Sequence, residues 1–494
     1  MKAKKKELII VISIAAAVVV LLAAFLVLKP IVEGNTSDAS QVERTFVFPK
    51  LTRSDIESLK VVNKDGEFEL YRVDTKLFFK GAEFVSYNDE KLSALVVNST
   101  YMIVAREVND VEDYSLYGLD IEKDKPAYFE LKTTNGLYHK VYIGDPVQNE
   151  TGYYVRYEGK DTIYVVDGTL GSSHLVKLNE YLMPYVSIQI SSPTQYVNIN
   201  DLYISKREND DDPEMKGLFN IRAKKAEEKP ADGSTLFPYI IAYPKTNYNA
   251  STDAFSAVQA KLAAMVGTKV VDYGIIPATE EKDPEAYTVY MERLAKWGLD
   301  KPKYEVLYSY ENENYLVSFS KVNADGNVYA YSIKTTAIIE IPFSMVDFID
   351  WGLKDFIDPQ IFSHNINTVK KITTTIDGKS YVYDLFMDSN KIVNKVTADG
   401  KDYPVDAFRK YYLTMLRMSI VDYSEAPGED MKPILTYTVE GDMGTLKYDF
   451  YRTATRRCYF TINGKGEFYI NYDLVNHMIE QTYKIEKGEI LTDE

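Results

Sequence analysis

The sequence predicts an α+β chain in which an N-terminal transmembrane helix is followed by three tandem antiparallel-sheet-plus-helix repeat domains. Three observations predict it. Leu8 to Leu28 is an uncharged apolar run. A four-strand meander pattern, rich in Tyr, Val and Ile and cut by turn residues, occurs at Ala127 to Leu170, Lys303 to Ile341 and Pro433 to Val475. Each meander is preceded by a stretch with helical apolar spacing. The 494 residues are enough for several separately cored domains. The expected divisions are a cytoplasmic stub and anchor over 1–28, a linker over 29–50, and repeat domains over 51–190, 191–362 and 363–494.

The anchor comes first. LIIVISIAAAVVVLLAAFLVL is about 20 residues long, which at about 1.5 Å per residue spans the roughly 30 Å hydrocarbon core. A cleavable signal peptide has a shorter apolar region ending in a small-x-small site, and Phe25 to Pro30 offers none. Lys2, Lys4, Lys5 and Lys6 precede the span, and only Lys29 follows it directly, so the N-terminus is expected in the cytoplasm and the bulk of the chain outside it. Ile31 to Lys50 is polar and aperiodic, and reads as a tether.

In the first copy, IESLKVVNKDGEFELYR reads as a hairpin turning at Lys64-Asp65-Gly66, with LFFKGAEFV continuing it. A helix is expected over DEKLSALVVNSTYMIVAREV, where Leu92, Leu95, Val96, Ser99 and Met102 form one stripe. Gly118 in EDYSLYGLD fits the left-handed residue that ends a short helix, with Leu119 as its apolar contact. A second helix is expected over Ser172 to Leu182.

The second copy repeats this order. SKRENDDDPEMKGLFNIRAKKAEEKPADG reads as a charged surface loop inserted at its front, and TDAFSAVQAKLAAMVGTKVVDY as its helix. Trp297-Gly298-Leu299-Asp300 repeats Tyr117-Gly118-Leu119-Asp120 about 180 residues later, a domain-sized period. The third copy opens with TVKKITTTIDGKSYVYDLF and has lost the Gly-Leu-Asp turn. PVDAFRKYYLTMLRMSIVDY is expected to be its helix, and DLVNHMIEQTYKI its closing helix. Cys458, Phe460 and Ile462 alternate as Tyr153, Val155 and Tyr157 do, which puts the single cysteine on a buried face as an inert thiol.

DIESLKVVNKDGEFELYR, the Tyr-Gly-Leu-Asp turn, VYIGD and GYYVRYEGKDTIYVVD together resemble the bacterial family of domain of unknown function forty-three-forty, chiefly over Ser54 to Leu182. The resemblance implies an extracytoplasmic, membrane-anchored α+β protein associated with ABC transporters of the gliding-motility type. It supplies no catalytic residues.

The chemistry of the chain itself is sparse. A net charge of −16 opposes nucleic-acid binding. His139, His174, His364 and His477 are dispersed, without the spacing of a zinc site. Ser172 and Ser173 beside His174 lack a nucleophile elbow and read as helix-capping residues. The carboxylates of Glu208 to Asp212 lack the spaced ligands of a calcium loop. Phosphate-binding glycine loops are missing, so the sequence predicts no catalytic, cofactor-binding or metal residue and no cofactor. The expected function is a binding or scaffold module, accessory to an ABC-type transport complex or the cell envelope. Expected partners are the membrane, transporter subunits and envelope polymer. The alternatives are an envelope hydrolase whose catalytic carboxylates are dispersed in the sequence, and a surface adhesin.

Overall fold

A computed structural model describes residues 44–148, 151–209, 212–228, 237–442 and 444–492. The predicted anchor at Leu8–Leu28 lies outside the described residues. Among those described, no helix is long and apolar enough to cross a membrane.

The hairpin pattern of the first copy folds into β1 (Ile56–Asn63), β2 (Gly66–Val73) and β3 (Lys76–Phe79). Next come α1 (Asp89–Thr100) and the short strand β4 (Arg106–Val108). The meander supplies β5 (Ala127–Thr133), β6 (Tyr138–Pro146), β7 (Gly152–Tyr157) and β8 (Ile163–Asp167). They form one sheet in the order β3-β2-β1-β5-β6-β7-β8-β4, with antiparallel neighbours throughout. Because β3 and β4 are opposite edges, the chain through α1 has to cross the sheet. Leu92, Leu95 and Val96 of α1 are buried, as are Leu59, Val61, Phe129, Leu131, Val141 and Val155 on alternating strand positions. Each such side chain contributes about 1.5–3 kcal/mol through burial.

The second copy repeats the path. Its strands are β9 (Asn200–Lys206), β10 (Lys216–Ala223), β11 (Tyr239–Tyr243), β12 (Lys269–Asp272), β13 (Tyr304–Tyr310), β14 (Glu313–Phe319), β15 (Asn327–Ser332) and β16 (Ala337–Pro342). Their order, β11-β10-β9-β13-β14-β15-β16-β12, is the first order again. Here α3 (Thr252–Ala263) makes the crossing, after the short α2 (Leu170–His174) has ended the first copy, and α4 (Pro284–Ala295) is added before β13. The short α5 (Leu353–Phe356) leads to the third copy.

Nine strands make the third sheet: β17 (Val369–Ile376), β18 (Lys379–Met387), β19 (Val393–Ala398), β20 (Lys401–Tyr403), β21 (Ile420–Tyr423), β22 (Leu435–Gly441), β23 (Gly444–Arg452), β24 (Arg457–Ile462) and β25 (Phe468–Asn471). The order is β20-β19-β18-β17-β22-β23-β24-β25-β21, so one strand has been added at the front edge. α6 (Val405–Leu416) makes the crossing, and α7 (Tyr472–Glu486) closes the copy.

Four expectations need correction. The helices predicted before each meander are shorter than expected, because their last residues become the edge strands β4, β12 and β21. The charged insertion is not a loop throughout. Its Lys216–Ala223 segment is β10, which turns Phe219 and Ile221 into the core and keeps its charges at the ends. The helix expected over Ser172 to Leu182 is instead α2 and a separate 3-10 turn at Leu178–Tyr181. α4 was not expected at all. It starts at the Asp283 cap, whose carboxylate accepts the Ala286 amide at 3.0 Å, with Pro284 in the first turn.

The described chain divides into two compact units. One takes the residues up to Lys80 together with Asp89–Lys177, and the other takes Gly81–Asn88 together with Leu178 onward. The second and third sheets share the latter unit. They are joined there by Asn247 donating to the Ile462 carbonyl at 2.9 Å and by Tyr248 packing edge-on to Phe468 at 5.3 Å.

A candidate binding cleft at the Gly-Leu-Asp turn

The sheet face opposite α1 carries the motif residues. Asp113 begins a 3-10 turn at Tyr114–Tyr117 by accepting the Ser115 amide at 2.9 Å and its hydroxyl at 2.7 Å. These bonds hold the Asp113 carboxyl below its ordinary range. Gly118 ends the turn with φ of 66°, and the Leu119 amide reaches back to the Tyr114 carbonyl at 3.0 Å. Leu119 is thereby driven onto the sheet, where it is fully buried against Tyr142 and Ile163. Tyr117 meets Tyr154 edge-on at 4.9 Å.

The VYIGD motif forms the surface that receives this turn. A β-carbon on Gly144 would overlap the Tyr117 carbonyl oxygen, and one on Gly118 would stand 2.7 Å from the Asp145 carboxyl carbon. The turn and β6 therefore meet backbone to backbone, which only glycine allows. Beside the junction lies a cleft of about 670 Å³, bounded by the end of β1 at Val62, Asn63 and Lys64, by Gly118, and by Asp145. Asp124 and Lys125 line it too. The Asp124 carboxylate already accepts the Asp120 amide at 3.0 Å. The cleft offers charges of both signs, from Lys64 and Lys125 and from Asp124 and Asp145, a surface suited to a polar ligand.

The second copy rebuilds the cover with larger groups. Gly298 has φ of 68°, the Leu299 amide donates to the Leu294 carbonyl at 2.9 Å, and Leu299 packs with Ile275, Tyr331 and Ile338. Trp297 meets Tyr329 at 4.8 Å, as Tyr117 meets Tyr154. The fit is looser, since the nearest atom to a β-carbon on Gly298 is Ser320 Cβ at 3.8 Å. The third copy lacks the turn, and its outer face is polar instead. Thr436 donates to Asp449 at 2.6 Å, Lys447 pairs with Asp449 at 2.9 Å, and Arg457 lies over Tyr469 at 4.7 Å.

The serine and histidine residues flagged in the sequence do meet, but in the core. His174 is fully buried, with Nε2 at 2.9 Å from the Ser99 hydroxyl and Nδ1 at 2.9 Å from that of Ser173. The Ser99 hydroxyl donates to the Leu95 carbonyl at 2.7 Å, so it accepts from Nε2, and Nδ1 is left to accept from Ser173. Asn98 donates to Ser173 at 2.9 Å. Burial pushes the imidazole down to about 3. This arrangement ties α2 to α1 and exposes no nucleophile to solvent. His139 lies apart, stacked on Phe48 at 4.8 Å, and no group able to hold a metal occurs among the described residues.

Residues 80–289 match the model of a family described as Domain of unknown function (DUF4340). This stretch of the chain belongs to that family. The DUF4340 match begins as β3 ends and stops within α4, so it takes in the Gly118 turn and Gly144 but not the β1 wall of the cleft. No curated protein and no solved structure gives a significant match to the chain.

Proposed function

We propose that this chain is a membrane-anchored extracytoplasmic binding or scaffold protein, accessory to an ABC-type transport complex or the cell envelope. The observation that carries the reading is where the copies differ. All three keep the core sheet order and the crossing helix, while the outer face carries a 3-10 turn in the first copy, α4 with its turn in the second, and a surface of tyrosines, hydroxyls and paired charges in the third. Variation on a solvent-facing surface over a constant core changes what is bound and spares stability. Three such faces in series give multivalent contact. The anchor rests on Leu8 to Leu28 and the lysines before it, and the transporter link on the family resemblance. The burial of His174 and Ser173 argues against their acting as base and nucleophile.

The test is site-specific photocrosslinking of the full-length chain in native membranes. A crosslinker replacing Leu116, which is 75% exposed on the outer-face turn, should capture an ABC-type transporter subunit. The same group at Val97, an exposed position on α1, should not. Equal capture from both positions, or from neither, counts against the reading. Steady hydrolysis of glycan or peptide by the purified protein, abolished by Asp145→Asn, would establish the hydrolase alternative instead.

A further inference from the structure

Each copy is closed by a short strap of the chain that precedes it, and the three straps are built alike. In the first, the Val47 amide donates to the Met102 carbonyl at 3.1 Å, the Val104 amide to the Thr45 carbonyl at 2.9 Å, and the Leu51 amide to the Thr100 carbonyl at 3.0 Å. The second repeats this with Val186 donating to Met265 at 3.0 Å and Gly267 to Pro184 at 2.8 Å. In the third, Ile361 donates to Met418 at 3.2 Å and Ile420 to Pro359 at 2.8 Å. Every strap buries the residue that follows its bonded valine or isoleucine, namely Phe48, Ser187 and Phe362. What lies beneath differs. Ser187 accepts from the Tyr308 hydroxyl at 2.8 Å, and Phe362 meets Tyr412, Tyr437 and Tyr448 edge-on. His364 also touches Phe362, but it continues the same strap and moves with it. Phe48 instead stacks at 4.8 Å on His139, an imidazole that the sheet carries on β6. We propose that the strap Thr45 to Leu51 is a proton-sensitive latch, which lies closed while His139 is neutral and peels from the first sheet when His139 takes up a proton.

The imidazole is badly placed to carry a charge under the closed strap. His139 is buried, its Nδ1 lies 3.1 Å from the Tyr157 hydroxyl, and among the described residues its Nε2 has no hydrogen-bond partner. A second N–H on the ring would be left unmet in the core. The charges around it are engaged elsewhere. Lys50 of the strap lies over Tyr101 at 4.6 Å, Lys132 of β5 pairs with Glu57 at 2.7 Å, and Lys140 of β6 pairs with Glu130 at 3.0 Å. On β7, burial and the nearby Glu158 both raise the Tyr157 hydroxyl, so it stays neutral. Burial is what holds the His139 imidazole below its ordinary value of 6.5. Peeling the strap lifts Phe48 from the ring and admits water, so the open state binds a proton near that ordinary value. A group depressed in the closed state favours closure fully above pH 6.5 and loses that preference as the pH falls below it. The open fraction therefore grows by up to about tenfold per pH unit. This strap also follows the expected membrane tether. Releasing its seven residues, at up to about 3.3–3.6 Å each, lengthens the reach of the first copy by roughly 20 Å. That consequence rests on the membrane-anchored reading, whereas the latch does not.

The experiment follows amide hydrogen exchange in the full-length protein in detergent between about pH 7.5 and 5, expressed as protection factors so that the intrinsic pH dependence of exchange is removed. Protection of Val47, Leu51 and Val104 should fall by up to about tenfold per unit below pH 6.5, while that of Val186 and Gly267 in the second strap stays level. His139→Gln, which cannot take up the proton, should level the profile of the first strap. His174 is intact in that variant, so general acid destabilisation is common to both proteins. Phe48→Ala serves as a second variant: its first strap should be poorly protected at pH 7.5 and insensitive to pH, because the imidazole is then hydrated whether the strap is down or up. Level protection in the wild type, or the same fall in wild type and His139→Gln, would overturn the latch. In liposomes, energy transfer from a dye on Leu116→Cys to acceptor lipids should decrease over the same pH range. Constant transfer beside a working latch overturns the change of reach alone, and no transfer at any pH counts against the anchor.

Discussion

Gly144 lies so close to Tyr117 that a β-carbon on it would overlap the Tyr117 carbonyl oxygen and stand 2.8 Å from Leu119 Cγ. The contact joins a strand to a turn 27 positions earlier and sets the depth to which Leu119 enters the core. Gly144→Ala must therefore lift the turn or displace β6. The expected cost is about 3 kcal/mol, the upper end for overpacking a well-filled site. At Gly298 in the second copy space is available and only the left-handed φ resists, so Gly298→Ala should cost about 1–2 kcal/mol. Thermal melts of the two variants compare the effects directly. A loss at Gly144 no larger than that at Gly298 would show that the Tyr117 contact relaxes and does not make glycine necessary there.

His174 predicts a pH dependence. Its folded pKa, about 3, is below the ordinary histidine value of 6.5. Between those limits the unfolded chain binds a proton that the folded chain excludes. Stability from this site is complete above about pH 6.5 and falls as the pH drops towards 3, by up to roughly 1.4 kcal/mol per unit. Carboxylates titrate over part of the same range, so the informative measurement compares wild type with His174→Gln. The variant should be less stable at pH 7, because Ser99 and Ser173 lose a fitted partner, and its stability should decline less between pH 6.5 and 5. Parallel profiles would exclude His174 as the source.

Period-two hairpins and glycine turns were readable because their determinants are local. Asp65-Gly66 and Asn135-Gly136 dictate tight turns whatever surrounds them, and Ile56 to Val73 pairs within itself. The edge strands were not readable. Arg106–Val108 pairs with Ile163–Val165, and Ile420–Tyr423 with Phe468–Ile470, partners that arrive some 50 residues later. Each of these strands has only three or four residues and directly follows a helix, so its apolar positions merge with the helical stripe. β10 was obscured by the charges around it, since Phe219 and Ile221 are its only buried side chains. The cleft was half visible. The sequence shows the turn and the Gly144-Asp145 pair as separate motifs, but the contact between them depends on the register of β6 in the sheet. The His174 network was less visible still, because Ser99 comes from a helix 75 residues away.

Cys458 offers a way to follow the third copy alone. Its side chain is fully buried on the inner face of β24 beside Phe460, and burial pushes the thiol up to about 12. Only the thiolate is nucleophilic, and here the reagent must also reach a sulfur with no exposed surface. In the native protein at pH 8 a colorimetric disulfide reagent should leave the thiol unmodified, while denaturant should release one equivalent. At intermediate denaturant the labelling rate should report the opening of the β24 region, whatever the first copy is doing. Cys458→Ala should remove the signal and destabilise by about 1 kcal/mol, since it deletes a buried sulfur and leaves a small void. Fast labelling of the native protein with its secondary structure intact would mean that the inner face of the third sheet opens locally, contrary to its sealed packing under α7.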